Sequence, residues 1–114
     1  MTFGKRVNFE PVREVGFAAI GAGYTALGGP TIDYPRIFSI YNTTNTDVYI
    51  SLNATTNQMR IPAGSSIVRD LTTNKVRDDG FFIPRGTTFY IKRAQGAPGS
   101  GTVWIEVIYA DGGT

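Results

Sequence analysis

The stretch Thr102-Val103-Trp104-Ile105-Glu106-Val107-Ile108-Tyr109-Ala110 alternates along its length. Val103, Ile105, Val107 and Tyr109 fall on one side of an extended chain, and Trp104, Glu106 and Ile108 on the other, which is the period of a strand and not of a helix. The first set is expected on a core face. The second set is itself partly apolar.

Asp47 to Asn53 repeats this pattern, with Val48, Ile50 and Leu52 facing one way and Tyr49, Ser51 and Asn53 the other. Further short strands are expected at Pro35 to Asn42, Met59 to Ile61, Ser66 to Leu71, Phe81 to Ile83 and Thr87 to Arg93, each bounded by turn residues. Pro62-Ala63-Gly64, Pro84-Arg85-Gly86 and the run Ala97-Pro98-Gly99-Ser100-Gly101 read as turns, because Pro presets one dihedral and Gly permits another. The Asn42 to Asp47 segment reads as a hairpin connection. Seven strands, with an eighth at Val12 to Ile20, give an all-β fold: a single antiparallel β-sandwich, jelly-roll-like or immunoglobulin-like.

Residues 1–33 differ from the β-sandwich domain expected over 34–114. They hold Gly4, Gly16, Gly21, Gly23, Gly28 and Gly29, and Val15 to Ile20 is their one apolar run of strand length. This segment reads as an extended Gly-rich N-terminal arm with one strand, laid on a neighbouring subunit or paired at home as an edge strand. On the arm reading, deleting residues 1–11 leaves the sandwich folded. Phe3, Phe9, Val12 and Phe17 are the arm's candidate contact residues, and Tyr49, Tyr90 and Trp104 are candidates on the sheets.

The 114-residue chain has 11 basic and 9 acidic residues, no Cys and no His. That inventory excludes disulfides, a thiol nucleophile, a Ser-His-Asp triad and the usual zinc ligand sets. No catalytic residues, cofactor or metal are expected. The small net charge of +2 is scattered, unlike the basic stripe of a nucleic-acid binder, and Lys92-Arg93 reads as a solvated strand end. No run approaches the roughly 18 apolar residues of a spanning helix, and the start lacks a secretory signal's apolar core, so synthesis in a cytoplasm without membrane insertion is expected.

Three motifs fail on context. Gly21-Ala22-Gly23-Tyr24-Thr25-Ala26 has the spacing of a dinucleotide fingerprint, but Leu27-Gly28-Gly29-Pro30 breaks the helix that must follow. Asp78-Asp79-Gly80, with Asp70 nearby, lacks the alternating oxygens and distal Glu of a calcium loop. Asn42-Thr43-Thr44 and Asn53-Ala54-Thr55 are formal glycosylation acceptors that matter only in a secretory pathway.

The run from Arg36 to Ala110 resembles small virion structural proteins of tailed bacteriophages. The resemblance rests on Arg36-Ile37-Phe38-Ser39-Ile40-Tyr41-Asn42, Asp47-Val48-Tyr49-Ile50-Ser51-Leu52, Ile61-Pro62-Ala63-Gly64, Asp70-Leu71-Thr72-Thr73-Asn74-Lys75, Gly86-Thr87-Thr88-Phe89-Tyr90-Ile91-Lys92 and the strand quoted first. It covers about two thirds of the chain, mostly in strand and turn grammar that other sandwiches share. It implies a non-enzymatic subunit of the virion that decorates or cements a capsid, or sits at the neck, tail or fibre attachment. Its implied partners are the major capsid or neck and tail proteins and further copies of itself. A carbohydrate-binding module using Trp104 or the tyrosines is the alternative from a different class.

Overall fold

The computed structural model describes residues 6–32, 35–70, 83 and 86–111. Among these described residues nine strands form two antiparallel sheets: β1 (Arg6–Phe9), β2 (Arg13–Gly16), β3 (Thr25–Ala26), β4 (Pro35–Asn42), β5 (Val48–Ser51), β6 (Met59–Ile61), β7 (Ser65–Asp70), β8 (Tyr90–Arg93) and β9 (Thr102–Asp111). Sheet A has the order β1-β9-β4-β7, with β2 also paired to β9; sheet B has the order β3-β8-β5-β6. The two sheets pack face to face as a β-sandwich.

Strand alternation decides what lies between the sheets. Phe38 and Ile40 from β4 and Val103, Ile105 and Val107 from β9 meet Val48 and Ile50 from β5, Ile61 from β6 and Ile91 from β8, all buried in one core. Phe89 enters beside β8, its ring 5.3 Å from that of Phe38. Tyr109, expected with the β9 core set, is only half-buried near the strand's end. Ile105→Ala should therefore destabilise by roughly 2–5 kcal/mol. Glu106→Ala, on the opposite face of the same strand, should cost less than about 1 kcal/mol, losing one hydrogen bond from Trp104. Equal losses in chemical denaturation would overturn this facing.

β1 and β2 together make one edge strand along β9. Phe9 pairs with Ile108 and Arg13 with Ile105, so four steps on the edge span three on β9 and one extra residue is accommodated. The irregularity sits at Glu10-Pro11-Val12. Pro11 has no N–H to donate, which an edge tolerates, and the Glu10 N–H still reaches the Val107 carbonyl at 3.0 Å.

Of the two readings of the N-terminal segment, these registers support the edge strand paired at home rather than an arm laid on a neighbour. From residue 6 onward the N-terminal segment is woven into both sheets, and the reason is a buried clasp at the kink. Arg13 faces inward at the sheet edge and donates to Glu10 Oε1 at 2.6 Å, the Gly29 carbonyl at 2.8 Å and the Pro30 carbonyl at 2.9 Å. Glu10 in turn accepts from the Ile32 N–H at 3.2 Å. The edge is thereby tied to the segment leading into β4. Deleting residues 1–11 would remove β1 and Glu10 together, so it is no longer expected to be harmless.

Two other local readings change. The strand expected over Val12 to Ile20 ends at Gly16, and Phe17–Ala19 form a 3-10 turn that brings Ile20 into the core. The Asn42 to Asp47 segment is not a hairpin: β4 lies in sheet A and β5 in sheet B, and the segment is the corner between them. Asn42 points inward there, its amide donating to the Thr46 and Ile61 carbonyls at 2.9 and 3.0 Å while its oxygen accepts from Thr44. The strand expected at Phe81 to Ile83 falls largely outside the described residues, within which Ile83 belongs to the core.

Candidate functional site

The sandwich has two outer faces, and they differ in chemistry. On sheet A, antiparallel register places side chains in rows across the strands. One row runs Phe9, Ile108, Ile37, Asp70; the next runs Glu106, Ser39, Val68; the third runs Glu14, Trp104, Tyr41, Ser66. Trp104 and Tyr41 stack with centroids 5.0 Å apart and planes inclined by 15°. Phe9 is 67% exposed and Val68 58% exposed, with the half-buried Ile37 and Ile108 between strands β1 and β7. Six of these eleven side chains are apolar or aromatic, and Glu14, Glu106 and Asp70 lie among them.

Sheet B carries a different row. Lys92 on β8 is paired with Tyr49 on β5, and Tyr49 with Arg60 on β6. The β3–β8 register, continued one residue before β3, sets Tyr24 beside Lys92. The Lys92 ammonium lies 4.8 Å from the Tyr24 ring centre and 5.8 Å from that of Tyr49, and the Arg60 guanidinium lies 5.6 Å over the other neighbour, Tyr49. Aromatic ring and cation thus alternate across all four strand positions.

Hydrogen bonds fix both ends of that row. Arg60 donates to Asp47 Oδ2 at 2.8 Å, and Asp47 Oδ1 accepts from the Ala63 N–H at 2.9 Å. Together, with the Arg60 bond foremost, they hold the Asp47 carboxyl below the usual carboxylate range. The Tyr24 hydroxyl donates to Asn57 Oδ1 at 2.5 Å, from the loop after β5. Burial, and then the neighbouring Tyr49, push the Tyr24 phenol above its ordinary value, against a smaller opposing effect of Ser51. Ser51, expected outward, does point to this face but is fully covered, its hydroxyl engaged by Asn53 and Ala54.

The candidates read from the sequence are divided by this geometry. Phe9 and Trp104 share the outer face of sheet A. Tyr49 and Tyr90 lie on the outer face of sheet B, so the three aromatics do not form one platform. Val12, 55% exposed, lies in the kink between β1 and β2, and Phe17 is exposed at the turn after β2. Phe3 lies outside the described residues. Tyr41, Ile37, Ile108 and Val68 on one face, and Tyr24 and Arg60 on the other, were not singled out from sequence, and Lys92, expected as part of a solvated strand end, lies between the Tyr24 and Tyr49 rings. The two-sided apolarity of Thr102 to Ala110 was the available signal for the first group.

The remaining motifs have structural roles. Asn42 is 1% exposed and fully engaged, so the Asn42-Thr43-Thr44 acceptor is closed in the folded chain. Asn53 is exposed, with its carbonyl oxygen bound by the Thr55 and Thr56 N–H groups. After Gly23 the chain enters β3 rather than a helix, and Leu27 is buried. Asp78 and Asp79 lie outside the described residues. No family model matches the chain, and no curated protein matches it.

Proposed function

We propose that the chain is a jelly-roll subunit of a bacteriophage particle, non-enzymatic, docking on other virion proteins through the outer face of sheet A. The observation that carries this reading is the apolar surface of Phe9, Ile37, Ile108, Val68 and the Trp104-Tyr41 stack. Monomeric soluble domains seldom leave such a surface open, and aromatic residues of this kind concentrate in interface cores.

The strand order supports the finer fold. Counting β1 and β2 as one interrupted strand gives eight positions among the described residues, with first, eighth, third and sixth facing second, seventh, fourth and fifth. This is the double Greek key of jelly rolls, an architecture frequent in viral capsid and lectin domains. An immunoglobulin-like order would set the first two strands side by side in one sheet, whereas here they lie in different sheets. The resemblance to phage virion proteins supplies the particle, and capsid decoration or cementing is the position proposed. Repetition of one modest contact over many symmetry-related copies makes attachment cooperative.

Val68→Glu and Phe9→Glu test the docking face. Both side chains are largely exposed, so each variant should keep its stability within about 1 kcal/mol. Incorporation into particles, measured by competition with the unaltered protein, should fall about tenfold or more when a charge is driven into the interface. Full occupancy by both folded variants would place the contact elsewhere.

A further inference from the structure

We propose that the outer face of sheet B binds an acidic saccharide, a chain of sugar rings bearing carboxylates, along the Tyr24, Lys92, Tyr49, Arg60 row. The inference does not rest on the virion reading, because it uses the opposite face of the sandwich. Charge complementarity carries it. Lys92 has no carboxylate in ion-pair distance among the described residues; two tyrosine rings hold its ammonium instead. Arg60 shares its charge with Asp47. The row therefore keeps one uncompensated positive charge, with an arginine, a phenol and an amide around it as further hydrogen-bonding groups.

The geometry selects among anionic partners. Each of the two rings and each of the two cations is separated from its like by two strand spacings, roughly 10 Å, the scale on which an extended polysaccharide repeats its disaccharide. Because Lys92 and Arg60 lie over ring faces, a neutral sugar finds little free aromatic surface on which to stack. An acidic peptide is recognised through a cluster of free arginines, whereas the one arginine of this row is already paired with Asp47. A nucleic-acid backbone calls for several uncompensated cations, and among the described residues this row offers one. A flat, polyhydroxylated ligand with spaced carboxylates meets both the charge and the donors.

Titration calorimetry of the intact protein with polygalacturonate oligomers tests this, with their methyl esters as the uncharged counterpart. The acidic oligomers should bind, and esterification should weaken binding about tenfold or more, the effect of losing a charge-assisted contact. Lys92→Gln should weaken it similarly, whereas Arg69→Gln, the same charge change on exposed β7 of sheet A, should leave it unchanged. The ester comparison needs no variant and so stands even where Lys92→Gln fails to fold. Absence of binding, equal binding of ester and acid, or equal affinity in the folded Lys92→Gln variant would overturn the proposal. Binding of polyglutamate as tight as that of polygalacturonate would overturn it in favour of an acidic peptide.

Discussion

Arg13→Ala is expected to destabilise the protein by about 3–5 kcal/mol, because it leaves the Glu10 carboxylate in a site where both side chains are nearly enclosed. The loss exceeds that of one ion pair, since the same guanidinium satisfies the Gly29 and Pro30 carbonyls. Gly28 passes directly over Arg13: a Cβ there would come within 2.6 Å of Arg13 Cβ, and its φ of +76° suits glycine. The double variant Arg13→Met with Glu10→Gln should lose less than the sum of the single changes, because neither then strands a buried charge. Urea unfolding of the four proteins measures both quantities. A loss below about 1 kcal/mol for Arg13→Ala would mean that the pair is screened by solvent and that the β1-β2 edge is not held by this clasp.

Gly101→Ala should destabilise by roughly 3–5 kcal/mol, combining left-handed backbone strain with overlap against main chain. Gly101 has φ +94°, and a Cβ there would lie 2.7 Å from the Thr43 carbonyl carbon and from Thr44 Cα, and closer still to the Thr43 oxygen. Backbone cannot swing aside as a flexible side chain can. The approach is tight because the inter-sheet corner is bonded to the start of β9, with the Thr43 hydroxyl donating to the Thr102 carbonyl at 2.8 Å and accepting from the Thr102 N–H at 3.0 Å. Gly99→Ala is the matched control: its Cβ would meet only Asn45 Nδ2 at 3.6 Å, an ordinary contact, so a change within about 1 kcal/mol is expected. Similar melting temperatures for the two variants would contradict the strain at Gly101.

How far such features can be read in the chain depends on whether they are local. Pro35–Asn42 and Met59–Ile61 lie where turn residues and alternation put them, and β9 buries Val103, Ile105 and Val107 as its period requires. The corner at Asn42 escaped, because Asn, Thr and Asp favour a tight change of direction without specifying whether the next strand stays in the same sheet. β1 escaped for a related reason: an edge strand needs no strong apolar signal when β9 supplies the ladder. The clasp depends on Glu10 and Arg13 being met by residues 29–32, a pairing that spacing within either segment does not reveal. On the outer faces, Trp104 was legible as an aromatic on a core strand, but its stack on Tyr41 follows only from the β4–β9 register. The Tyr24, Lys92, Tyr49, Arg60 row is more remote still, since it assembles four side chains from separate parts of the sequence.

The proposed role in a particle is tested most directly by counting this chain in purified virions by quantitative mass spectrometry against the major capsid protein. Attachment through a repeated outer-face contact predicts copies on the order of hundreds per particle, in a fixed ratio to the capsid lattice. A count of about a dozen or fewer would move the subunit to the neck, tail or fibre attachment, as expected for a lower-order symmetry. Its absence from purified particles, with the protein abundant in the same lysate, would contradict a structural role in the virion.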